Sequence, residues 1–85
     1  MSKLISIRND ISLLSSKKPS DQLNTFKIKY INDVLAKIND LIGKDKPYND
    51  FDVFDEVALP SNSDALMIIN LYINGMYRFK RHKNL

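Results

Sequence analysis

Apolar and polar positions repeat with a helical period at the start of the chain. The apolar residues there, spaced three or four apart, are Leu4, Ile7, Ile11 and Leu14. This spacing places them on one face of an amphipathic helix, so the pattern predicts a first helix over residues 3–15. The connection that follows contains Pro19, which a helix tolerates only in its first turn, and Ser16 or Ser20 is the expected cap of the next helix. So short a connection predicts that these two helices are antiparallel neighbours.

A second helix is predicted over residues 20–42, where the apolar face is wider. The residues at its centre are Leu23, Phe26, Tyr30, Val34, Ile38 and Leu41, with Ile31, Leu35 and Ile42 beside them. A face of this width is too broad for one partner helix. Gly43 follows, at the position where a left-handed cap is expected.

An acidic connection is predicted over residues 44–61, because prolines and charges interrupt the helical pattern there. It also contains apolar residues, namely Phe51, Val53, Phe54, Val57 and Leu59. These are too many for a solvated linker, so we expect the segment to fold back against the helices. Helix, strand and loop all stay open for residues 51–58, with a helical turn favoured by the spacing of the aromatic residues.

A third helix is predicted over residues 62–82. Ser61 and Asp64 have the spacing by which a capping side chain and a first-turn acid satisfy the free N–H groups of a helix start. The apolar residues that follow are Leu66, Ile69, Tyr72, Ile73, Met76 and Phe79, with Met67, Ile68, Leu71 and Tyr77 widening the surface. A helix that is apolar almost all round is central to a core or is shared with a second chain.

Length and composition limit the architecture that these helices can form. The chain has 85 residues and no cysteine, and 44% of its residues are hydrophobic. One domain of this size buries only about 60% of its unfolded surface, and no disulfide stabilises it. The sequence therefore predicts a single all-α domain over residues 1–85. Its helical hairpin and third helix form a small three-helix bundle, with homo-oligomerisation as a further expectation.

Several functional classes find no support in the sequence. The N-terminus reaches Arg8 and Asp10 before a secretory signal can form, and the apolar run of residues 65–73 is too short to span a bilayer, so we expect a cytoplasmic protein. The acidic residues of the connection lack the calcium-loop pattern. His82, the single histidine, stands among like charges near the chain end, where no neighbour fixes it as a general base. We therefore expect no enzymatic activity, no cofactor and no metal site.

Charge is segregated along the chain, and its basic end is the most suggestive feature. Residues 47–64 carry a net charge of −5, whereas residues 1–46 and 65–85 each carry +4. The residues predicted to bind a partner are Tyr72, Met76, Tyr77 and Phe79 for apolar contact and Arg78, Lys80 and Arg81 for electrostatic steering. This pattern predicts a non-enzymatic protein–protein interaction module of the regulator, inhibitor or immunity-protein type. The alternative is a small nucleic-acid-binding protein that uses the C-terminal RFKRHK.

Residues 17–33, KKPSDQLNTFKIKYIND, resemble the Pro-Ser-Asp turn and the following helix of type III secretion needle subunits. The resemblance covers fewer than 20 residues. The acidic middle and the third apolar helix of this chain depart from the two-helix plan of that family, so no function is carried over. Small bacteriocin-immunity proteins are similar in class only, as basic helical chains of comparable size.

Overall fold

The computed structural model describes residues 2–43 and 51–83, with side chains described for residues 3–43 and 51–79. It contains three helices, α1 (Ser2–Lys17), α2 (Thr25–Ile42) and α3 (Asn62–Lys83). In the described ranges the only β-type pairing is a single antiparallel bridge between Gln22 and Ser61. The predicted all-α three-helix bundle is confirmed.

The second helix begins later than predicted, because the cap is neither Ser16 nor Ser20. Asn24 has an extended backbone conformation, and its side-chain oxygen accepts a hydrogen bond of 2.8 Å from the backbone N–H of Lys27. This bond satisfies one of the free donors at a helix start. The first connection therefore runs to Asn24, and α2 begins at Thr25.

The two connections are bonded to each other. The backbone N–H of Leu23 donates to the carbonyl of Pro60 at 3.1 Å, and that of Asn62 donates to the carbonyl of Asp21 at 2.7 Å. The side-chain amide of Asn62 also donates to the carbonyl of Lys18 at 2.9 Å. These bonds place the start of α3 beside the end of α1. The predicted cap of α3 is confirmed, since the N–H of Asp64 donates to the Ser61 hydroxyl oxygen at 3.2 Å.

α1 packs on both other helices, but much more closely on α3 than on α2. The short first connection predicted α1 and α2 as close neighbours, yet a short turn fixes only how near two helix ends lie and not which faces meet. Because α1 leans toward α3, a groove lies open between α1 and α2.

The core contains residues of all three helices and of both connections. Its buried apolar members are Leu4, Ile7, Ile11, Leu23, Ile28, Ile31, Leu35, Ile38, Ile42, Phe54, Ala65, Ile68, Ile69, Tyr72, Ile73 and Met76. In α2 the stripe of buried residues is shifted around the helix from the centre of the predicted apolar face. Ile28 is buried, whereas Phe26, Tyr30 and Leu41 are exposed.

Residues 51–60 form an irregular, bent segment with neither helix nor strand, so the preferred helical turn is wrong. The segment does fold back, as expected: Phe54 is buried, and Phe51 and Leu59 are partly buried against the core. Residues 44–50 of the predicted acidic connection lie outside the described residues. Gly43 ends α2 with a positive φ of 54°, although its ψ of −121° is not that of the expected left-handed cap.

Candidate interaction surface

Two of the residues predicted to contact a partner lie in the core instead. Tyr72 is 0% exposed and Met76 is 6% exposed. The hydroxyl of Tyr72 donates a hydrogen bond of 2.6 Å to the side-chain oxygen of Asn39 on α2. This part of the apolar surface of α3 is covered by the rest of the chain. Neither residue can contact a partner unless the core opens.

The other predicted contacts lie near the end of α3. Tyr77 is 48% exposed and Arg78 is exposed, while Phe79 is partly buried against the core. The side chains of Lys80 and Arg81 lie outside the described residues. Tyr77 and Arg78 are adjacent in sequence and both reach solvent, so they are the exposed members among the predicted residues whose side chains are described.

An apolar groove of the described residues lies elsewhere, between α1 and α2. Its volume is about 120 Å³. Its walls are formed by Ile7, Asp10, Ile11 and Leu14 from α1 and by Phe26, Lys27, Tyr30 and Ile31 from α2. Ile7, Ile11 and Ile31 are buried and form its floor, whereas the aromatic residues stand at its edge.

Two aromatic side chains on one wall of this groove, Phe26 and Tyr30, are exposed to solvent. Phe26 is 84% exposed and Tyr30 is 50% exposed, one helical turn apart on the same wall. Single exposed apolar side chains are common on protein surfaces, but aromatic residues that line an apolar groove together are typical of an interaction surface. The signal in the sequence was the width of the apolar face of α2, which exceeds what one helix can cover.

The opposite flank of α2 is covered by the irregular segment. The side-chain amide of Asn32 donates to the carbonyl of Phe54 and its oxygen accepts from the N–H of the same residue, both at 2.8 Å. Two helical turns further along α2, the side-chain amide of Asn39 donates to the carbonyl of Asp52 at 2.7 Å. The ring of Phe51 meets that of Phe54 edge to face, with 4.9 Å between the ring centres. Sequence reasoning missed both asparagines, because nothing in their spacing distinguishes them from solvent-facing residues.

The described part of the chain shows neither a metal-binding cluster nor a membrane-spanning helix. No three acidic or histidine side chains converge in a way that could hold a metal ion in the described ranges. His82 has no described side chain. Among the described helices, none combines the length and the apolar character that crossing a bilayer requires.

Comparison with known proteins does not assign the chain to a family. No protein-family model, curated protein or solved structure matches the chain. The groove and the charged groups around it are therefore the basis for a functional proposal.

Proposed function

We propose that this protein is a non-enzymatic interaction module that binds a protein partner through the groove between α1 and α2. The observation that carries the proposal is the exposure of Phe26 and Tyr30 beside a continuous apolar floor. Aromatic residues are enriched at the centres of interfaces, where burying one contributes a large part of the binding free energy. A regulator, inhibitor or immunity-type protein would act in this way, by occupying a surface of its target.

Site-specific photocrosslinking in the cells that produce the protein tests this proposal. A benzoylphenylalanine at position 26 is expected to form covalent adducts, because the aromatic side chain at that position would lie against the partner. The matched control places the same crosslinker at position 29, an exposed site on the same helix that is not part of the groove wall. Adducts from position 26 alone would support the proposal, and their absence from both positions would contradict it.

Nucleic-acid binding is the second candidate, and one observation favours it. Tyr77 and Arg78 are adjacent and both exposed, which suits stacking on a base and contact with a phosphate. Fluorescence anisotropy of labelled duplex DNA and single-stranded RNA at about 50 and 200 mM salt would test it, because phosphate contacts weaken steeply with salt. Micromolar binding with that salt dependence, lost in Arg78→Ala, would favour this function over the interaction module.

A further inference from the structure

The groove between α1 and α2 carries one charge of each sign, on opposite walls. Asp10 lies on the α1 wall and Lys27 lies on the α2 wall. Both side chains are exposed, and neither forms an ion pair with another residue of the described ranges, where the one ion pair joins Lys18 and Asp21. The groove thus combines an apolar centre with two unpaired charges of opposite sign.

This distribution does not favour a strongly acidic or a strongly basic partner, because either would meet a like charge on one wall. The charges of this groove do complement those of the same groove in a second copy of the chain. If a second chain is turned by a two-fold axis that lies along the groove, its α1 wall faces the α2 wall of the first chain. The wall that carries Asp10 in each chain then lies against the wall that carries Lys27 in the other, so this opposite-charge contact occurs twice.

We propose that the occupant of this groove is the same groove of a second copy of the chain, in a two-fold symmetric dimer. This inference rests on the proposed function and names its partner. Phe26 and Tyr30 of each chain cover the apolar floor of the other, and the two Asp10–Lys27 pairs flank this contact and set its register.

The size of the chain is compatible with such a dimer. A stable interface of ordinary size buries about 800 Å² on each partner. That is roughly one-seventh of the 5690 Å² of accessible surface of this chain. A small domain without disulfides gains stability from such an association, because a bound partner favours the folded state.

Reversal of the two charges tests both the dimer and its register. Sedimentation equilibrium is expected to show a dimer for the native chain at about 100 µM. Asp10→Lys alone and Lys27→Asp alone each place like charges opposite each other twice, so each is expected to weaken dimerisation roughly tenfold. An equal mixture of the two variants restores both opposite-charge pairs and is expected to form a heterodimer as stable as the native dimer.

The Asp10→Lys/Lys27→Asp double variant, whose pairs are restored within one sequence, is expected to dimerise as the native chain does. Phe26→Ser, which removes the apolar contact, is expected to be monomeric. Since all three positions are exposed, circular dichroism should show unchanged helix content in every variant.

A native chain that stays monomeric to millimolar concentration would overturn the dimer. A dimer whose two single variants fail to complement each other in the mixture would overturn this arrangement. Either result is compatible with the proposed interaction module if a crosslinker at position 26 still forms adducts with another protein. The dimer and the interaction module can therefore be disproved separately.

Discussion

The two flanks of α2 differ in how they are covered. On one flank Asn32 and Asn39 hold the irregular segment by three hydrogen bonds to its backbone. On the other flank Phe26 and Tyr30 remain exposed beside the groove. Both flanks adjoin the same buried stripe of α2, and the open flank is the one that carries the aromatic side chains. The difference therefore does not follow from how apolar each flank is.

The comparison shows that a segment without regular structure needs polar partners as well as apolar ones. Its backbone N–H and C=O groups lose water when they are buried, and each must find another hydrogen-bond partner. Asn32 supplies a donor and an acceptor to one residue, Phe54, which a single amide side chain can do. The groove flank has no comparable amide, and no described part of the chain covers it.

Removal of the buried aromatic ring on the closed flank is expected to have the largest effect on stability. Phe54→Ala should lower the free energy of unfolding by about 3–5 kcal/mol, because the ring is buried in the core and its loss leaves a cavity. Urea denaturation followed by circular dichroism measures this. The control is Val57→Ala in the same segment, where Val57 is 93% exposed and its truncation should change stability by less than about 0.5 kcal/mol. Equal effects of the two substitutions would show that the segment does not pack as described.

Loss of the amide that holds this segment is expected to have the next largest effect. Asn32→Ala leaves the N–H and the carbonyl of Phe54 without their partner, which should cost about 2–3 kcal/mol in the same denaturation experiment. Asp33→Ala is the matched control, since Asp33 is the exposed neighbour on the same helix. If Asn32→Ala were as stable as the control, the asparagine bonds would not be what closes this flank.

Much of the fold could be predicted from sequence, because helical periodicity and capping are local. The spacing of Leu4, Ile7 and Ile11 predicted their burial, and Ser61 predicted the start of α3. The rest depends on contacts between distant residues. In α2, two adjacent stripes have the same period, and only the way the rest of the chain packs around α2 decides that Ile28 is buried and Tyr30 is not.

The candidate site was less predictable than the fold. The sequence drew attention to α3 because its apolar residues are dense, but a helix also needs apolar residues for its own burial in the core. Tyr72 and Met76 are therefore part of the core. The apolar face of α2 was recognised as too broad for one partner, yet which part of it stays open depends on how closely α1 approaches.

A smaller effect is expected where the closed flank meets α3. Tyr72→Phe removes the hydroxyl that donates to Asn39 and should cost about 1 kcal/mol, since Asn39 keeps its bond to the carbonyl of Asp52. Tyr77→Phe is the control, because Tyr77 lies on the same helix and is half exposed. Thermal unfolding of both variants at one protein concentration would measure the difference. A Tyr72→Phe variant as stable as Tyr77→Phe would mean that this bond contributes nothing to holding the flank closed.

The smallest effect on stability is expected on the open flank. Phe26→Ser should change the free energy of unfolding by less than about 0.5 kcal/mol, because the side chain is 84% exposed and leaves no cavity in the single chain. The measurement belongs at low micromolar concentration, where self-association contributes little to the apparent stability. A loss of more than about 1 kcal/mol there would show that Phe26 belongs to the core of the single chain, and that the flank is closed after all. An unchanged stability, together with lost adducts or lost dimers, would separate the two flanks by role: one stabilises the chain and the other binds.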